Sequence, residues 1–303
     1  MNVLQFSRRT AIPASLVLLV LATTRCTAPS QGGGSGGDGA GNANVAPPAN
    51  QNGGSNFNGS GSAVITADQK RRAEQITSVF ENDTIELQYA YIENINDGRG
   101  YTAGRAGFTT ATGDLIVVVE RYTADVPGNG LAPFIPRLVE LAEQVSDSTA
   151  GLEGLPQAWM QAAADPRFRA VQDAVVDELY YQPTVAHWRQ LGLTTALSLA
   201  ALYDADIQHG DGDDPDGLSA MLERTRARVG GTPASGIAES TWLAGFLDVR
   251  RATLAFAFNP ETRAAWAMAV DRPDVYRALL DDGNFDLSGP IVIDTPNHMA
   301  TIP

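Results

Sequence analysis

The chain of 303 residues is 44% hydrophobic, which is enough to bury one large core. Its 35 acidic residues outnumber its 21 basic ones, and the formal net charge of -14 at pH 7 argues against nucleic acid as a partner and favours a polycation. Alternatively, the same net charge would simply keep an exported protein soluble. The chain has a single cysteine, so an intrachain disulfide is excluded.

Residues 1–26 have the pattern of an export signal. Arg8 and Arg9 precede the apolar run 12–22, a twin-arginine-like arrangement that is too short to span a membrane, although the general secretory route is also open. Cys26 follows directly as a candidate for lipid acylation, but the arginine before it fits a lipoprotein signal poorly, and removal with the signal is the alternative. We expect a secreted protein, with or without a lipid anchor at Cys26.

The next segment, residues 27–62, is rich in Gly, Ser and Asn and has almost no large apolar side chains. Such a composition cannot form a core, so we expect a disordered, flexible linker. The linker would hold the domain that follows, residues 63–303, away from the cell envelope, or it would have no task of its own.

The folded domain is predicted to begin with a helix. Thr66 is a suitable N-cap, and Gln69 three residues later completes a capping box. Apolar residues then recur at helical spacing and predict a buried face: Ala73, Ile76, Val79 and Phe80. Glu81 would therefore lie at or near the C-terminal end of this helix.

A second helical piece through residues 89–92 is expected next, followed by a Gly-rich turn and a short β-hairpin over residues 100–110. Beyond Asp114 the apolar pattern is mainly helical, over 115–122, 138–145, 168–179, 186–207, 218–229 and 241–258. These elements predict an α+β fold that is mainly α. The tryptophans lie within helical patterns and are expected in the core: Trp159, Trp188, Trp242 and Trp266.

Two carboxylates, Glu81 and Asp97, frame the region between the first helix and the hairpin. Cleavage of a glycosidic bond needs one carboxylic acid as proton donor and one carboxylate to activate water. Such pairs are also common on solvated surfaces, and an aspartate before Gly98 is a frequent turn former. The two residues alone therefore leave catalysis and a structural role open.

The sequence around these acids is more specific than the pair itself. Over residues 81–114 it reads ENDTIELQYAYIENINDGRGYTAGRAGFTTATGD, and further blocks follow the same order: ADQKRRAEQ (67–75), LYYQP (179–183), YDADIQHGDGDDPD (203–216) and WLAGFLDVR (242–250). Together they resemble the bacterial chitosanases of glycoside hydrolase family 46. The resemblance implies a lysozyme-like fold, in which two lobes flank a substrate cleft with a small β-hairpin beside it. It also implies endo-hydrolysis of chitosan, a polycationic glucosamine polymer, without a cofactor or metal.

Carried onto this sequence, the resemblance assigns the general acid to Glu81 and the general base to Asp97, with Thr102 helping to hold the attacking water. The alternative for Thr102 is simple β propensity. Inversion is implied, for which the two carboxyl groups usually stand roughly 6.5–9.5 Å apart. The 16-residue separation of the acids matches one branch of the family, whereas another branch has two more residues there.

Substrate contacts are also expected of Tyr91, Arg99, Asp114, His209 and Asp211. The family resemblance implies a place in the cleft for Arg99 and Asp114 and a cleft-edge loop that contains Asp211, whereas Tyr91 is one of two neighbouring tyrosines whose ring could line the cleft. Asp114 would pair with a glucosamine ammonium, and it is also a suitable N-cap for the next helix. His209 is either a cleft residue or a hydrogen-bonded core histidine. Asp211 begins an acid-rich run that loosely resembles a calcium loop but lacks its terminal glutamate, so we expect a cleft edge rather than a metal site.

The resemblance also implies a buried ion network that supports the catalytic acid, formed by Asp204, Arg250 and Arg263. Guanidinium groups fix the direction of carboxylates through forked hydrogen bonds. One departure is Pro260, which precedes the Glu-Thr-Arg run ending at Arg263 where many relatives carry histidine. We expect the substrate contact of that histidine to be absent.

These observations predict a secreted, monomeric, inverting endo-chitosanase. A muramidase or a broader glucanase on the same fold is the rival enzyme, and an acidic cleft disfavours anionic polymers. A non-catalytic module that binds polycations is the rival from another class. The presence of both Glu81 and Asp97 argues against it.

Overall fold

The computed structural model describes residues 64–96, 98–260 and 262–303. The predicted export signal, the linker, Cys26 and Asp97 lie outside these described residues. Within the described part, no helix combines the length and the apolar character needed to cross a membrane.

Helices make up most of the described domain: α1 (Ala67–Asn82), α2 (Asp114–Asp125), α3 (Ile135–Gln144), α4 (Leu155–Ala162), α5 (Pro166–Val176), α6 (Gln182–Gln190), α7 (Ala196–His209), α8 (Leu218–Val229), α9 (Glu239–Ala255), α10 (Arg263–Ala267) and α11 (Arg272–Asp281). A π-helical turn, Asp177–Tyr181, joins α5 directly to α6. Two small antiparallel sheets accompany them, one of β1 (Ile92–Asn94), β2 (Tyr101–Ala103) and β3 (Phe108–Thr109) in that order, the other of β4 (Ile291–Asp294) and β5 (Met299–Ile302). The predicted class, mainly α with small β elements, is confirmed.

The first helix, α1, begins and ends as its sequence predicts. Thr66 Oγ1 accepts a hydrogen bond from the Gln69 amide at 3.2 Å, and Gln69 Oε1 accepts one from the Thr66 amide at 2.9 Å, which completes the capping box. The predicted apolar face is buried, and α1 packs against α7. Asp83 has left-handed backbone angles and ends the helix, so Glu81 lies in its last turn.

Two segments differ from the predicted elements. The helical piece expected at residues 89–92 is instead the approach to β1, because Ile92 pairs with Ala103 of β2 and adds a third strand to the hairpin. The helix expected over 186–207 is two helices, α6 and α7, separated at Gly192. Gly192 has a φ of +75°, and a Cβ there would lie 2.6 Å from the backbone nitrogen of Ala234, so this close approach requires glycine.

The core is built around α7, in which nearly every residue is buried. All four tryptophans are at most 2% exposed, which confirms their predicted place in the core. Trp159 packs edge to face on Phe168, with ring centroids 4.8 Å apart, and its Nε1 donates to the Tyr89 carbonyl at 3.0 Å. This bond anchors the segment that leads from α1 into the three-stranded sheet.

Candidate active site

The last turn of α1 places Glu81 at a small cavity between this helix and the three-stranded sheet. The cavity has a volume of about 60 Å³, and its walls include Tyr91 before β1, Thr102 in β2 and Tyr180 in the π-helical turn. The Glu81 side chain is 24% exposed, so the carboxyl group is held by protein on one side and open on the other. A ligand can therefore reach it.

Arg272, at the start of α11, holds the Glu81 carboxylate from behind. Arg272 Nη1 lies 2.6 Å from Glu81 Oε1, while its Nε and Nη2 donate to the two carboxylate oxygens of Asp204 at 2.8 and 2.7 Å. Arg250 Nη2 contacts Asp204 Oδ2 at 2.7 Å. The three residues behind Glu81 are at most 3% exposed. This set of buried ion pairs, the Glu81 network, fixes the direction of the carboxylate.

The charges of the Glu81 network determine the ionisation of Asp204. Burial alone would raise the pKa of Asp204, but the guanidinium groups of Arg272 and Arg250 outweigh burial and hold that pKa well below its usual range. The pKa of Arg272 is raised by Asp204 and Glu81 although burial opposes the shift. Asp204 therefore remains an anion that keeps Arg272 oriented toward Glu81.

The prediction that Arg263 belongs to this network is wrong, because Arg272 occupies that place. Arg263 donates from Nε to the Ala257 carbonyl at 2.9 Å and from Nη2 to the Phe258 carbonyl at 3.3 Å. Both carbonyls follow the end of α9, where backbone acceptors lack helical partners.

Thr102 lines the same cavity as Glu81 from the middle of β2. Its backbone is fixed between Glu93 of β1 and Thr109 of β3. The side chain is 1% exposed, and Oγ1 has no hydrogen-bond partner among the described residues. A buried hydroxyl without a protein partner is suited to hold a water molecule. Asp97, the predicted general base, lies outside the described residues.

Tyr180 brings several predicted site residues together. The pKa of its hydroxyl is raised first by burial and then by the charges of Asp114 and Asp206, with a smaller contribution from Glu81 and an opposing one from Arg99. Tyr180 lines the cavity together with Glu81, and the charges of Arg99 and Asp114 also act on its hydroxyl. The sequence prediction assigned no role to Tyr180. The π-helical turn that presents it often marks functional sites, but no sequence pattern identifies such a turn beforehand.

Asp114 is the first residue of α2 and is anchored through one carboxylate oxygen. Oδ1 accepts hydrogen bonds from the Thr109 and Leu115 amides at 2.7 and 2.9 Å and from the Thr112 hydroxyl at 2.7 Å. Burial raises the pKa of Asp114 against the effect of these bonds. The N-cap of α2 is Gly113, so the alternative of Asp114 as the N-cap is wrong. Oδ2 makes no hydrogen bond to a described residue and is therefore available for a contact with substrate.

The structure places His209 in the core and Asp211 in the loop between α7 and α8. The His209 side chain is 2% exposed and meets the Trp266 ring with centroids 4.5 Å apart, so it is a core residue, which corrects the prediction of a substrate contact. Asp211 Oδ2 lies 2.7 Å from His187 Nε2, and Oδ1 accepts a hydrogen bond from the Ser219 hydroxyl at 2.5 Å. These bonds tie its loop to α6 and α8. In the described part of the chain, no cluster of His, Cys, Asp and Glu side chains could hold a metal ion.

Residues 75–291 match the protein-family model described as Glycosyl hydrolase family 46. The chitosanase of Bacillus subtilis (strain 168) is 52% identical over 230 residues, which cover 76% of this chain and 83% of the relative.

Solved structures show the same similarity. The native chitosanase from Bacillus subtilis MY002 has a TM-score of 0.71 and 50% identity, and the match covers 79% of this chain and 100% of that one. The family 46 chitosanase of Gynuella sunshinyii, in complex with chitotetraose, has a TM-score of 0.70 and 50% identity, with 79% and 99% of the two chains covered. These similarities confirm the predicted lysozyme-like fold class.

Proposed function

Because the chain belongs to glycosyl hydrolase family 46, we propose that it is a chitosanase that cleaves the β-1,4 bonds between glucosamine units within chitosan chains, with inversion. The names of its relatives support this substrate, since they are chitosanases and one solved relative holds chitotetraose. The net charge of -14 favours the same polycation.

In the proposed reaction Glu81 acts as the general acid and Asp97 as the general base. Glu81 transfers its proton to the glycosidic oxygen while the bond between that oxygen and C1 breaks. A water molecule attacks C1 from the opposite face and gives a proton to Asp97, so the new hydroxyl at C1 has the α configuration. The Thr102 hydroxyl, which can donate and accept, holds this water in place.

One observation carries the proposal: Glu81 and the Thr102 hydroxyl line a single cavity, the first held by Arg272 and the second without a partner among the described side chains. Arg272 fixes the direction in which the acid points. The unpartnered hydroxyl offers a hydrogen bond to water. Their common cavity supports the assignment of the proton donor to Glu81 and of the water site to Thr102.

Release of reducing ends from highly deacetylated chitosan, with the anomers of the first products followed by NMR, tests the proposal. We expect rapid release of α-anomers. Early β-anomers would overturn inversion, and activity on peptidoglycan without activity on chitosan would identify a muramidase instead. A folded protein that binds chitosan without cleaving it would be a binding module.

Asp114→Asn is expected to reduce the preference for glucosamine over N-acetylglucosamine at one subsite. The reason is that Oδ2 can pair with a glucosamine ammonium, and a neutral amide loses the charge-assisted part of that contact, worth about 1–2 kcal/mol or roughly a tenfold change in discrimination. The products from partially acetylated chitosan, analysed by mass spectrometry, measure this. An unchanged product pattern would remove Asp114 from substrate recognition.

We further propose that residues 1–26 direct export, a proposal supported by their twin-arginine-like pattern and apolar run. If Cys26 is acylated, the intact mass of the exported protein will include fatty acids, and a membrane-associated pool will disappear in Cys26→Ala. An exported protein whose N-terminus lies beyond Cys26 and carries no lipid would exclude the anchor.

A further inference from the structure

A second ion network lies on the face of α1 that carries Glu81, two helical turns earlier. Glu74 precedes Glu81 by seven residues, and both line the cavity described above. Arg105 Nη2 lies 2.9 Å from Glu74 Oε1, and Arg105 Nη1 pairs with Asp173 of α5. Arg105 belongs to the turn between β2 and β3. One guanidinium group therefore joins the three-stranded sheet to two helices.

The pairing of Arg105 with Glu74 is buried and ionised. The two side chains are 3% and 7% exposed, so removing either partner would leave a buried charge unpaired. Burial alone would raise the pKa of Glu74, but the charges of Arg105 and Lys70 lower it below its usual value. Lys70 Nζ lies 2.7 Å from Glu74 Oε1 and 2.8 Å from Asp177 Oδ1 in the π-helical turn. The network thus extends to the segment that presents Tyr180.

The turn that carries Arg105 is also held by its backbone. The Arg105 amide donates to Gln172 Oε1 at 3.1 Å, and the Gly104 amide donates to the Tyr91 carbonyl at 2.7 Å. A Cβ at Gly104 would lie 2.5 Å from Gln172 Oε1, at a φ of +72°, so the turn lies directly on α5. These bonds fix the turn to α5 and to the residue before β1, whereas the contact to α1 depends on the Arg105 side chain.

We propose that Arg105 is a positioning residue for the reaction, which sets the distance between the sheet carrying Thr102 and the helix carrying Glu81. Thr102 lies three residues before Arg105 on the same hairpin. The Arg105 side chain, buried and paired on two sides, acts through Thr102 and Glu81 rather than on the sugar. The inference rests on the proposed function, because it concerns the geometry of that reaction.

Steady-state hydrolysis of the glucosamine hexamer by Arg105→Gln tests the inference. We expect kcat to fall about 10- to 100-fold, the size of effect caused by misplacing reacting groups by about 1 Å. KM should stay within about twofold, because the groups that bind the sugar remain. Arg105→Lys keeps a positive charge opposite Glu74 but loses the forked guanidinium group that also pairs with Asp173. Its kcat should therefore lie between that of the wild type and that of Arg105→Gln.

Two control variants separate positioning from stability. Arg121→Gln removes an exposed bidentate pair with Glu178, at 2.7 Å for both bonds, and should leave kcat unchanged. Leu141→Ala removes a fully buried side chain of α3 and should lower Tm without lowering kcat at temperatures where the protein is folded. If Arg105→Gln does not fold, Asp173→Asn is used instead. It removes the charge that pairs with Arg105 Nη1 at a side chain that is 40% exposed, and it should lower kcat several-fold.

The inference is overturned if folded Arg105→Gln or, failing that, Asp173→Asn keeps the wild-type kcat. It is equally overturned if their kcat falls no further than that of a Leu141→Ala protein of similar Tm. A wild-type protein without activity on chitosan oligomers would refute the proposed function itself and this inference with it. That outcome is distinct, because it is seen before any variant is compared.

Discussion

Glu81→Gln is expected to lower kcat on chitosan about 10²- to 10⁴-fold, the contribution typical of general acid catalysis. The substitution removes the transferable proton and keeps the shape of the side chain. The amide oxygen can still accept the hydrogen bond that Arg272 Nη1 now makes to Glu81 Oε1 at 2.6 Å. Folding and chitosan binding should therefore persist while turnover is lost. Initial rates of reducing-end release, together with Tm and binding of chitosan oligomers, measure the three properties.

Glu178→Gln is the matched control for Glu81→Gln. Glu178 is an exposed glutamate in the π-helical turn whose carboxylate pairs with Arg121 at the surface. Its neutralisation should change neither kcat nor Tm appreciably, since exposed ion pairs contribute about 0–1 kcal/mol. If Glu81→Gln kept more than about a tenth of the wild-type kcat, the proton donor would have to be another residue.

The element that carries Glu81 could be predicted because its determinants are local. The capping box of Thr66 and Gln69 and the spacing of apolar residues in α1 act within one or two helical turns. The hairpin of β2 and β3 followed from its glycines and alternating small and aromatic residues. The third strand, β1, was missed because its three residues are defined by pairing with β2 rather than by a pattern of their own.

The Glu81 network could not be predicted in full because its residues are distant from one another in sequence. Asp204 and Arg250 followed from the family resemblance, but the choice between Arg263 and Arg272 depends on how α11 packs on α7 and α9. Both arginines open helices in the same stretch of chain, and spacing does not show which one turns inward. The two alternatives for His209, a cleft residue or a core histidine, were left open for a similar reason, since the ring that covers it comes from Trp266, far along the chain.

Two ion networks make the proposed site rigid. One fixes the direction of Glu81 through Arg272, and the other fixes the sheet against α1 through Arg105. Each uses one guanidinium group between two carboxylates, so each arginine is oriented from two sides. Long-range contacts of this kind hold a catalytic geometry more firmly than the short helix end and the short strands could alone.

Arg272→Met is expected to reduce both stability and activity by large amounts. The free energy of unfolding should fall by about 3–5 kcal/mol, because Asp204 loses a bidentate partner while remaining fully buried. The kcat should fall by about 10²-fold, because Glu81 loses the contact that fixes its direction. Chemical unfolding with urea and initial rates on chitosan, taken below the Tm of the variant, measure the two effects separately.

The pH dependence of stability tests whether Asp204 is the residue that Arg272 stabilises. The pKa of Asp204 in the folded protein lies below its unfolded value, so its pairing stabilises the fold above the unfolded pKa of about 3.9, and this contribution is lost as the pH falls toward the folded pKa. With Arg272 removed, one of the two charges that lower this pKa is gone. The folded pKa of Asp204 should therefore rise toward or past its unfolded value in Arg272→Met, so Asp204 contributes less to the acid-induced loss of stability. We expect Tm to fall less steeply below about pH 4 in Arg272→Met than in the wild type, which Tm values between pH 7 and pH 3 would show.

Arg263→Met and Arg277→Met complete the test, because each removes another arginine of the same region. Arg263 contacts backbone carbonyls and Arg277 pairs with the exposed Asp248, so neither should change kcat by more than about twofold. A large loss in Arg263→Met with little loss in Arg272→Met would reverse the assignment and restore Arg263 to the support of Glu81. The opposite result would establish that the acid is directed by the first residue of α11.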